Sequence, residues 1–293
     1  MPTKLISLFV FFLTPLTLFS APPTTAPSIT FQSNIPYGHT SNQDLLLDLA
    51  RPASSPYPLP CILFIHGGAW AHGDKSSLTP AIRAIASQGY VAAAVNYRLI
   101  PAAIFPSQIS DVKCAVRYLR SHAAQYNIDP DRIGALGDSA GGHLVLMLAT
   151  TTPADHLDGD AGYPDTSSAV QAVVSWYGPT DLSAPDMPPI SRPLIQAFLT
   201  PDSTPPADLV ARASPIHYVH SDEPPILLLQ GTSDTQVTYT QALLMAIRMT
   251  DLHAPGRVEL LLNANHGFTG PTLQHVLDSS LSFFNEHLKS PQP

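Results

Sequence analysis

The chain has few charged residues, and the positive ones are the scarcer. Its 293 residues include 14 Lys and Arg against 22 Asp and Glu, which gives a formal net charge of -8. The Lys and Arg residues are scattered, so the sequence has no basic stripe of the kind that binds a phosphate backbone. This charge pattern argues against a nucleic-acid partner.

Motifs for metals and phosphates are also missing. The sequence has no H-E-x-x-H pattern, no Cys/His spacing typical of a metal site and no glycine-rich phosphate loop. Its only two cysteines are Cys61, which opens an apolar run, and Cys114, which lies in a helical pattern. A disulfide between them and two buried free thiols both fit these contexts, so the sequence leaves their state open. We expect no metal site.

The N-terminus has the layout of a secretory signal peptide. Lys4 precedes an apolar run over residues 5–19, and small residues follow before a segment rich in Pro and Thr. The run contains a proline and is shorter than the ~20 residues that a membrane-spanning helix needs. We expect residues 1–20 to be a cleaved signal and residues 21–29 a linker. The mature protein is then secreted or periplasmic, without stable insertion in a membrane.

Residues 30–290 alternate between strand-like and helix-like patterns, which predicts one α/β domain with a mostly parallel twisted sheet and helices on both faces. Two early runs, ITFQSNIPY and DLLLDLA, are typical of an antiparallel pair at the sheet edge. Further strands are predicted at CILFI, YVAAAVN, RIGALG, AVVSWY, PILLLQ and RVELLLN. Helices are predicted over residues 76–87, 111–126, 140–150, 236–250 and 272–288.

One segment breaks this alternation. Residues 180–215 are rich in Pro, Asp and Ser, with a single helical piece over residues 193–199. Insertions at strand ends of α/β proteins often cover a ligand site, so a small cap is our interpretation. A long surface loop without a catalytic role is the alternative.

The hexapeptide GDSAGG, residues 137–142, lies between a predicted strand and a predicted helix. In such a strand-turn-helix elbow the serine stands exposed at the helix N-terminus, and glycines two residues to either side prevent a collision. The helix dipole and free N–H groups there favour the negative charge that develops on an attacked carbonyl. Ser139 is therefore a candidate nucleophile.

A serine nucleophile needs a histidine base and a carboxylate that orients it, in the chain order Ser, acid, His for this fold. Asp234 follows the strand PILLLQ and His266 follows RVELLLN, so both fall at the carboxyl edge of the predicted sheet. Asp234 also fits an ordinary helix cap. His143, one turn after Ser139, is interpreted as a packing residue.

The pentapeptide HGGAW, residues 66–70, directly follows the strand CILFI. Adjacent glycines let a loop bring its N–H groups close to a bound carbonyl oxygen, and the N–H after the nucleophile completes such an oxyanion hole. The predicted donors are Gly67, Gly68 and Ala140. Trp70 is a candidate for lining the substrate site, although an aromatic residue beside a loop is as often plain packing.

HGGAW, NYRL, DVKCAVRYLRSHAAQYNIDPDRIGALGDSAGGH, GTSD and NHGF together resemble the α/β-hydrolase esterases of the hormone-sensitive-lipase type, most closely the BD-FAE-like carbohydrate and feruloyl esterase branch. The resemblance covers about residues 30–288 and implies an α/β-hydrolase fold. It implies that Ser139 is the nucleophile, His266 the general base and Asp234 its orienting acid, with no metal or organic cofactor.

The same resemblance implies hydrolysis of short acyl esters, of acetyl or feruloyl type and in some cases on carbohydrates. One departure from the family pattern is Ala69, where hormone-sensitive-lipase relatives usually have a third glycine. The backbone N–H survives this change, but the implied site is narrower and accepts bulky alcohol groups less readily.

Three competing functions share parts of this pattern. A prolyl-oligopeptidase-type peptidase would normally bring a large additional domain, for which we expect no room in this chain. An amidase of the arylformamidase type also carries an H-G-G-x-W loop, and only substrates separate it from an esterase. A non-catalytic binding protein with a hydrolase fold is disfavoured because all three triad positions are filled. No extended apolar lid is visible, which disfavours a long-chain lipase. The oligomeric state stays open.

Overall fold

The computed structural model describes residues 28–289. The predicted signal at residues 1–20, and the predicted linker except for its last two residues, lie outside the described residues. Among residues 28–289, no helix combines the length and the apolar character that crossing a bilayer requires.

In the described part of the chain, eight strands form one sheet in the order β1-β2-β4-β3-β5-β6-β7-β8. The pairs β1–β2 and β2–β4 are antiparallel, and every other pairing is parallel. The strands are β1 (Ile29–His39), β2 (Asp44–Pro52), β3 (Leu59–Ile65), β4 (Val91–Val95), β5 (Ile128–Asp138), β6 (Ala172–Trp176), β7 (Ile226–Gly231) and β8 (Gly256–Leu261). The predicted antiparallel pair at the sheet edge and the six later strands are confirmed.

Helices cover both faces of the sheet. They are α1 (Thr79–Ser87), α2 (Ser107–Ser121), α3 (Ala123–Tyr126), α4 (Ala140–Thr150), α5 (Arg192–Leu199), α6 (Ala207–Arg212), α7 (Tyr239–Asp251) and α8 (Gly270–Leu288). The helical prediction for residues 111–126 is correct in kind, but the structure begins this helix four residues earlier and interrupts it at His122.

The central strands are apolar throughout because both of their faces are buried. In β3, the side chains of Cys61, Leu63 and Ile65 enter one core cluster, and those of Ile62 and Phe64 enter the other. The first cluster includes buried residues of α2, α4 and α7, and the second includes those of α1 and α8. The period of two in the strands therefore matches a helical layer on each face.

The two cysteines are free and buried. Burial raises the pKa of the Cys61 thiol to about 12 and that of the Cys114 thiol to about 11. Thiols with such values carry little thiolate near neutral pH, so both act as small apolar core residues.

The segment over residues 180–215 leaves the sheet and returns to it. The Leu182 N–H donates to the Ser214 hydroxyl oxygen at 3.0 Å, which brings the two ends of the segment together. The predicted helical piece is α5, but α6 was not predicted. A helix of six residues directly after two prolines has too short a periodic pattern for sequence analysis to find.

Candidate active site

The three residues predicted as a triad follow three parallel strands at the same edge of the sheet. Ser139 follows β5, Asp234 lies in the loop after β7, and His266 lies in the loop after β8. Because parallel strands present their carboxyl ends at one edge, segments far apart in the chain meet there. The structure brings all three side chains into contact.

A chain of two hydrogen bonds joins them. The His266 Nε2 lies 3.0 Å from the Ser139 Oγ, and the His266 Nδ1 lies 2.7 Å from the Asp234 Oδ2. A carboxylate only accepts, so the Nδ1 carries the proton and the Nε2 lone pair faces the serine hydroxyl. This is the tautomer that can take a proton from Ser139.

The Asp234 carboxylate is oriented by other groups as well. Its side chain is fully buried, and its Oδ1 accepts the N–H groups of Gln236 at 2.8 Å and Val237 at 2.9 Å. The Gln230 side-chain amide donates to the Oδ2 at 3.2 Å. Asp234 thus stabilises the turn before α7 and also holds His266. The residue at the N-cap of α7 is Thr238, so the helix-cap interpretation of Asp234 was wrong.

The backbone of Ser139 is strained in the way that a nucleophile elbow requires. Its φ of 52° and ψ of -117° lie outside the regions that L-residues ordinarily adopt. A β-carbon on Gly141 would collide with the carbonyl oxygen of Ile65, and one on Gly137 would collide with that of Gly141. Both glycines are needed because the strand and the helix approach each other so closely.

The loop over residues 66–70, called the oxyanion loop below, differs from the prediction at one donor. The Gly67 N–H donates to the Asp138 Oδ1 at 3.0 Å. A backbone N–H has one proton to give, so Gly67 is not free to bind an oxyanion, and its assignment as a donor was wrong. The carboxylate that accepts this hydrogen bond belongs to the residue just before the nucleophile.

The remaining N–H groups suit the role better. Gly68, Ala69 and Ala140 line the cavity beside Ser139, whereas Gly67 is absent from its lining. Within residues 28–289, none of these three N–H groups donates a hydrogen bond to another residue. The candidate oxyanion donors are therefore Gly68, Ala69 and Ala140, the last of them at the N-terminus of α4.

The cavity at Ser139 has a volume of about 480 Å³. Its apolar wall includes Met187, Leu194 and Ile195 from the 180–215 segment, which therefore contributes directly to the cavity. The polar residues Ser191 and Gln236 line the same cavity, and the Ser191 hydroxyl donates to the Gln236 carbonyl oxygen at 2.6 Å. The arrangement can hold a small molecule with one apolar end and one polar end against the serine.

Trp70 lines this cavity but is only 4% exposed. Its ring stacks on Phe198 of α5 with the ring centres 4.2 Å apart, and its indole N–H donates to the His143 Nδ1 at 3.3 Å. Most of the Trp70 surface therefore packs between the oxyanion loop and the 180–215 segment rather than facing the cavity.

Asp138 and Tyr177 also belong to the site, and sequence analysis missed both. Tyr177 follows β6, which lies between β5 and β7, so its position at this edge is fixed by strand order. Its ring centre lies 4.5 Å from that of His266, and burial raises the pKa of its hydroxyl. Burial likewise raises the pKa of Asp138, and the Gly67 N–H opposes that rise.

Residues 47–249 match the family model described as BD-FAE. Among curated proteins, the chain is 32% identical over 241 residues to esterase LipQ of Mycobacterium tuberculosis, covering 80% of this chain and 57% of the relative. It is 34% identical over 214 residues to the probable carboxylic ester hydrolase LipM of the same species, covering 70% of this chain and 48% of the relative. The chain thus spans about half the length of these relatives.

Solved structures of similar size share the fold. A truncated carbohydrate esterase from gut microbiota superimposes with a TM-score of 0.77 at 28% identity, over 90% of this chain and 99% of that one. A thermophilic esterase of Thermogutta terrifontis with bound propionate gives 0.74 at 25% identity, over 92% of this chain and 98% of that one. The fold is that of an α/β hydrolase.

Proposed function

The chain belongs to the BD-FAE family, and from this we propose that it is a serine carboxylesterase that hydrolyses short-chain acyl esters through an acyl-serine intermediate. The observation that carries the proposal is the hydrogen-bonded chain from Ser139 through His266 to Asp234, facing a cavity beside free backbone N–H groups. An uncharged serine hydroxyl is a weak nucleophile that a neutral imidazole activates when it is oriented to accept the proton, and this chain supplies that orientation.

The reaction has two steps. The His266 Nε2 takes the proton of the Ser139 hydroxyl as Oγ attacks the ester carbonyl, and the oxygen of the resulting tetrahedral intermediate carries a negative charge. His266 then returns the proton to the leaving alcohol, and the serine is left acylated. Water attacks the acyl-serine with His266 again as base, which releases the acid and restores the hydroxyl.

The N–H groups of Gly68, Ala69 and Ala140 are assigned to the oxyanion. These N–H groups stabilise the negative charge because they are oriented before the reaction, and donors already in place need no reorganisation as the charge develops. Removing one such donor typically costs ~2.7–4 kcal/mol of transition-state stabilisation.

The size and lining of the cavity support short acyl groups. Its volume of about 480 Å³ lies toward the small end of ligand sites, and Met187, Leu194 and Ile195 restrict it on the side of the 180–215 segment. The Thermogutta terrifontis esterase has been solved with propionate and with butyrate bound, which agrees with this size class.

Two further parts of the proposal concern the alcohol and the location. The polar groups of Ser191 and Gln236 in the cavity, together with the structural similarity to a gut carbohydrate esterase, support a hydroxyl-rich alcohol such as a sugar. The N-terminal pattern of residues 1–20 supports export, which would bring the protein to extracellular or periplasmic esters.

The test compares wild type with Ser139→Ala on the 4-nitrophenyl esters of acetate, butyrate and decanoate, and on acetylated and feruloylated oligosaccharides. Ser110→Ala is the matched control, because it removes a buried serine hydroxyl on α2 that donates to the Leu157 carbonyl. We expect wild type and Ser110→Ala to cleave acetate and butyrate far faster than decanoate, and Ser139→Ala to fall to background.

Two results would contradict the proposal. Equal rates for wild type and Ser139→Ala would remove the serine mechanism and leave a binding protein as the better interpretation. Cleavage of 4-nitroacetanilide at a rate comparable with the ester would favour an amidase.

A further inference from the structure

Three segments of the active site meet at one buried histidine. His143 lies on α4, one helical turn after the nucleophile, and is fully buried. The Trp70 indole N–H, from the oxyanion loop, donates to its Nδ1 at 3.3 Å, and its Nε2 lies 2.7 Å from the Ala213 carbonyl oxygen. Ala213 lies near the end of the 180–215 segment. The oxyanion loop and this segment, which both line the cavity, therefore contact the same imidazole.

Each hydrogen-bond partner of His143 can act in only one way, either as a donor or as an acceptor. An indole nitrogen only donates and a carbonyl oxygen only accepts, so the imidazole is neutral, with its proton on Nε2. Burial lowers the pKa of His143 to about 4, so this tautomer persists through the range in which ester hydrolysis is measured. His143 therefore has no proton to exchange with a substrate, because both of its ring nitrogens already take part in hydrogen bonds.

The part of the loop that His143 contacts has an unfavourable backbone conformation. Ala69 and Trp70 have φ values of 52° and 57°, in the left-handed region, which residues other than glycine seldom adopt. Such a conformation persists only where its surroundings hold it. Trp70 is held on one side by stacking on Phe198 and on the other by its hydrogen bond to His143.

We propose that His143 is a positioning residue for ester hydrolysis, which fixes Trp70 and with it the Gly68 and Ala69 N–H groups at a set distance from Ser139. Ser139 directly precedes the helix that carries His143, so this contact fixes the oxyanion donors relative to the helix that begins at the nucleophile. The hydrogen bond to the Ala213 carbonyl oxygen fixes the end of the 180–215 segment relative to the same helix. This inference rests on the proposed esterase function.

The experiment is a double-mutant cycle on kcat and KM for 4-nitrophenyl acetate. His143→Phe keeps an aromatic ring and loses both hydrogen bonds, and Trp70→Phe keeps the stack on Phe198 and loses only the N–H donor. We expect His143→Phe to lower kcat about tenfold or more, with KM within about twofold, because misplaced donors weaken the transition state rather than the ground state.

Trp70→Phe should lower kcat severalfold, and the double variant should be about as active as His143→Phe alone, since the shared hydrogen bond is already broken. His143→Gln, whose amide can both accept and donate, should recover part of kcat. Tyr118→Phe is the control, because it breaks a buried hydrogen bond between the Tyr118 hydroxyl on α2 and the Tyr126 hydroxyl on α3. It should reduce the melting temperature without changing kcat.

The outcomes separate this inference from the proposed function. A wild-type protein without esterase activity would contradict the proposed function. An active wild type with an unchanged kcat in Trp70→Phe overturns the positioning role, even if His143→Phe fails to fold. Strictly additive effects in the cycle, or a loss confined to melting temperature, overturn it as well.

Discussion

The Gly67 N–H donates a hydrogen bond to the carboxylate of Asp138, which connects the start of the oxyanion loop to the residue before the nucleophile. Neighbouring residues thus have separate tasks, since Ser139 supplies the attacking oxygen and Asp138 holds the loop. This bond also consumes the N–H that sequence analysis had assigned to the oxyanion. A carboxylate in the elbow therefore helps to set the geometry of the oxyanion loop.

Asp138→Ala leaves the Gly67 N–H without its acceptor, and an unsatisfied buried donor costs ~1–3 kcal/mol. We expect kcat for 4-nitrophenyl acetate to fall about tenfold or more as the loop relaxes, with KM changing less. Asp138→Asn keeps an oxygen at the same position and should retain most of the activity. Equal kcat values for the alanine variant and wild type would show that the loop does not need this bond.

Asp234→Asn should reduce kcat by about 10³–10⁴. The amide keeps the shape of the carboxylate, but it no longer stabilises an imidazolium and favours the wrong tautomer of His266. The melting temperature should change little, because the Asn carbonyl oxygen can still accept the N–H groups of Gln236 and Val237. Steady-state kinetics beside Asp251→Asn, an exposed aspartate on α7, test this, and a loss below about tenfold would contradict it.

Ala69→Gly should widen the site for the alcohol. Ala69 lines the cavity at a φ of 52°, so glycine adopts its backbone conformation without strain and removes a methyl group beside Ser139. We expect kcat/KM for tert-butyl acetate, relative to ethyl acetate, to rise about tenfold. Ala71→Gly, in the same turn but outside the cavity lining, is the control. An unchanged ratio would mean that the methyl group does not limit the alcohol.

Glu223 is buried at the opposite end of the sheet, just before β7. Its Oε1 has no hydrogen-bond partner within the described residues, and burial raises its pKa from an ordinary 4.5 to about 7. Between these pH values the folded protein holds a proton that the unfolded chain has lost. The contribution of Glu223 to stability is therefore greatest below pH 4.5, falls as the pH rises to 7, and stays reduced above it.

Glu223→Gln should remove this dependence. We expect its free energy of unfolding in urea to exceed that of wild type by ~1–3 kcal/mol at pH 8, and by clearly less at pH 5. Asp222→Asn, an exposed neighbour, should show no such difference. A gain that is the same at both pH values would contradict the explanation by a buried charge.

The sheet was predictable because its central strands are buried on both faces and are therefore continuous apolar runs, as in VAAAV of β4. The positions of Ser139 and Asp234 followed from it, since each comes shortly after such a run, whereas His266 follows an apolar run at the edge of the sheet. The identity of the oxyanion donors did not follow. Which N–H faces the cavity depends on backbone rotation at Gly68, whose φ is 108°, and on the acceptor that Asp138 offers.

Contacts between distant segments were the other part that sequence could not predict. His143 looks like a helix-packing residue in its own sequence context, and that is what its burial shows. Its importance comes from Trp70 and Ala213, which lie about 70 residues to either side of it in the chain. No local pattern encodes a hydrogen bond over such a separation.

Of the three strands that precede the triad residues, β8, which precedes the loop of His266, is held by the fewest neighbours in the sheet. Within residues 28–289, β8 is an edge strand that pairs only with β7, and none of its residues is fully buried, whereas β7 is buried throughout. Fraying of this edge would withdraw the base while Ser139, held by the centre of the sheet, stayed in place. We therefore expect the loss of activity on heating to begin at this edge, before the core melts.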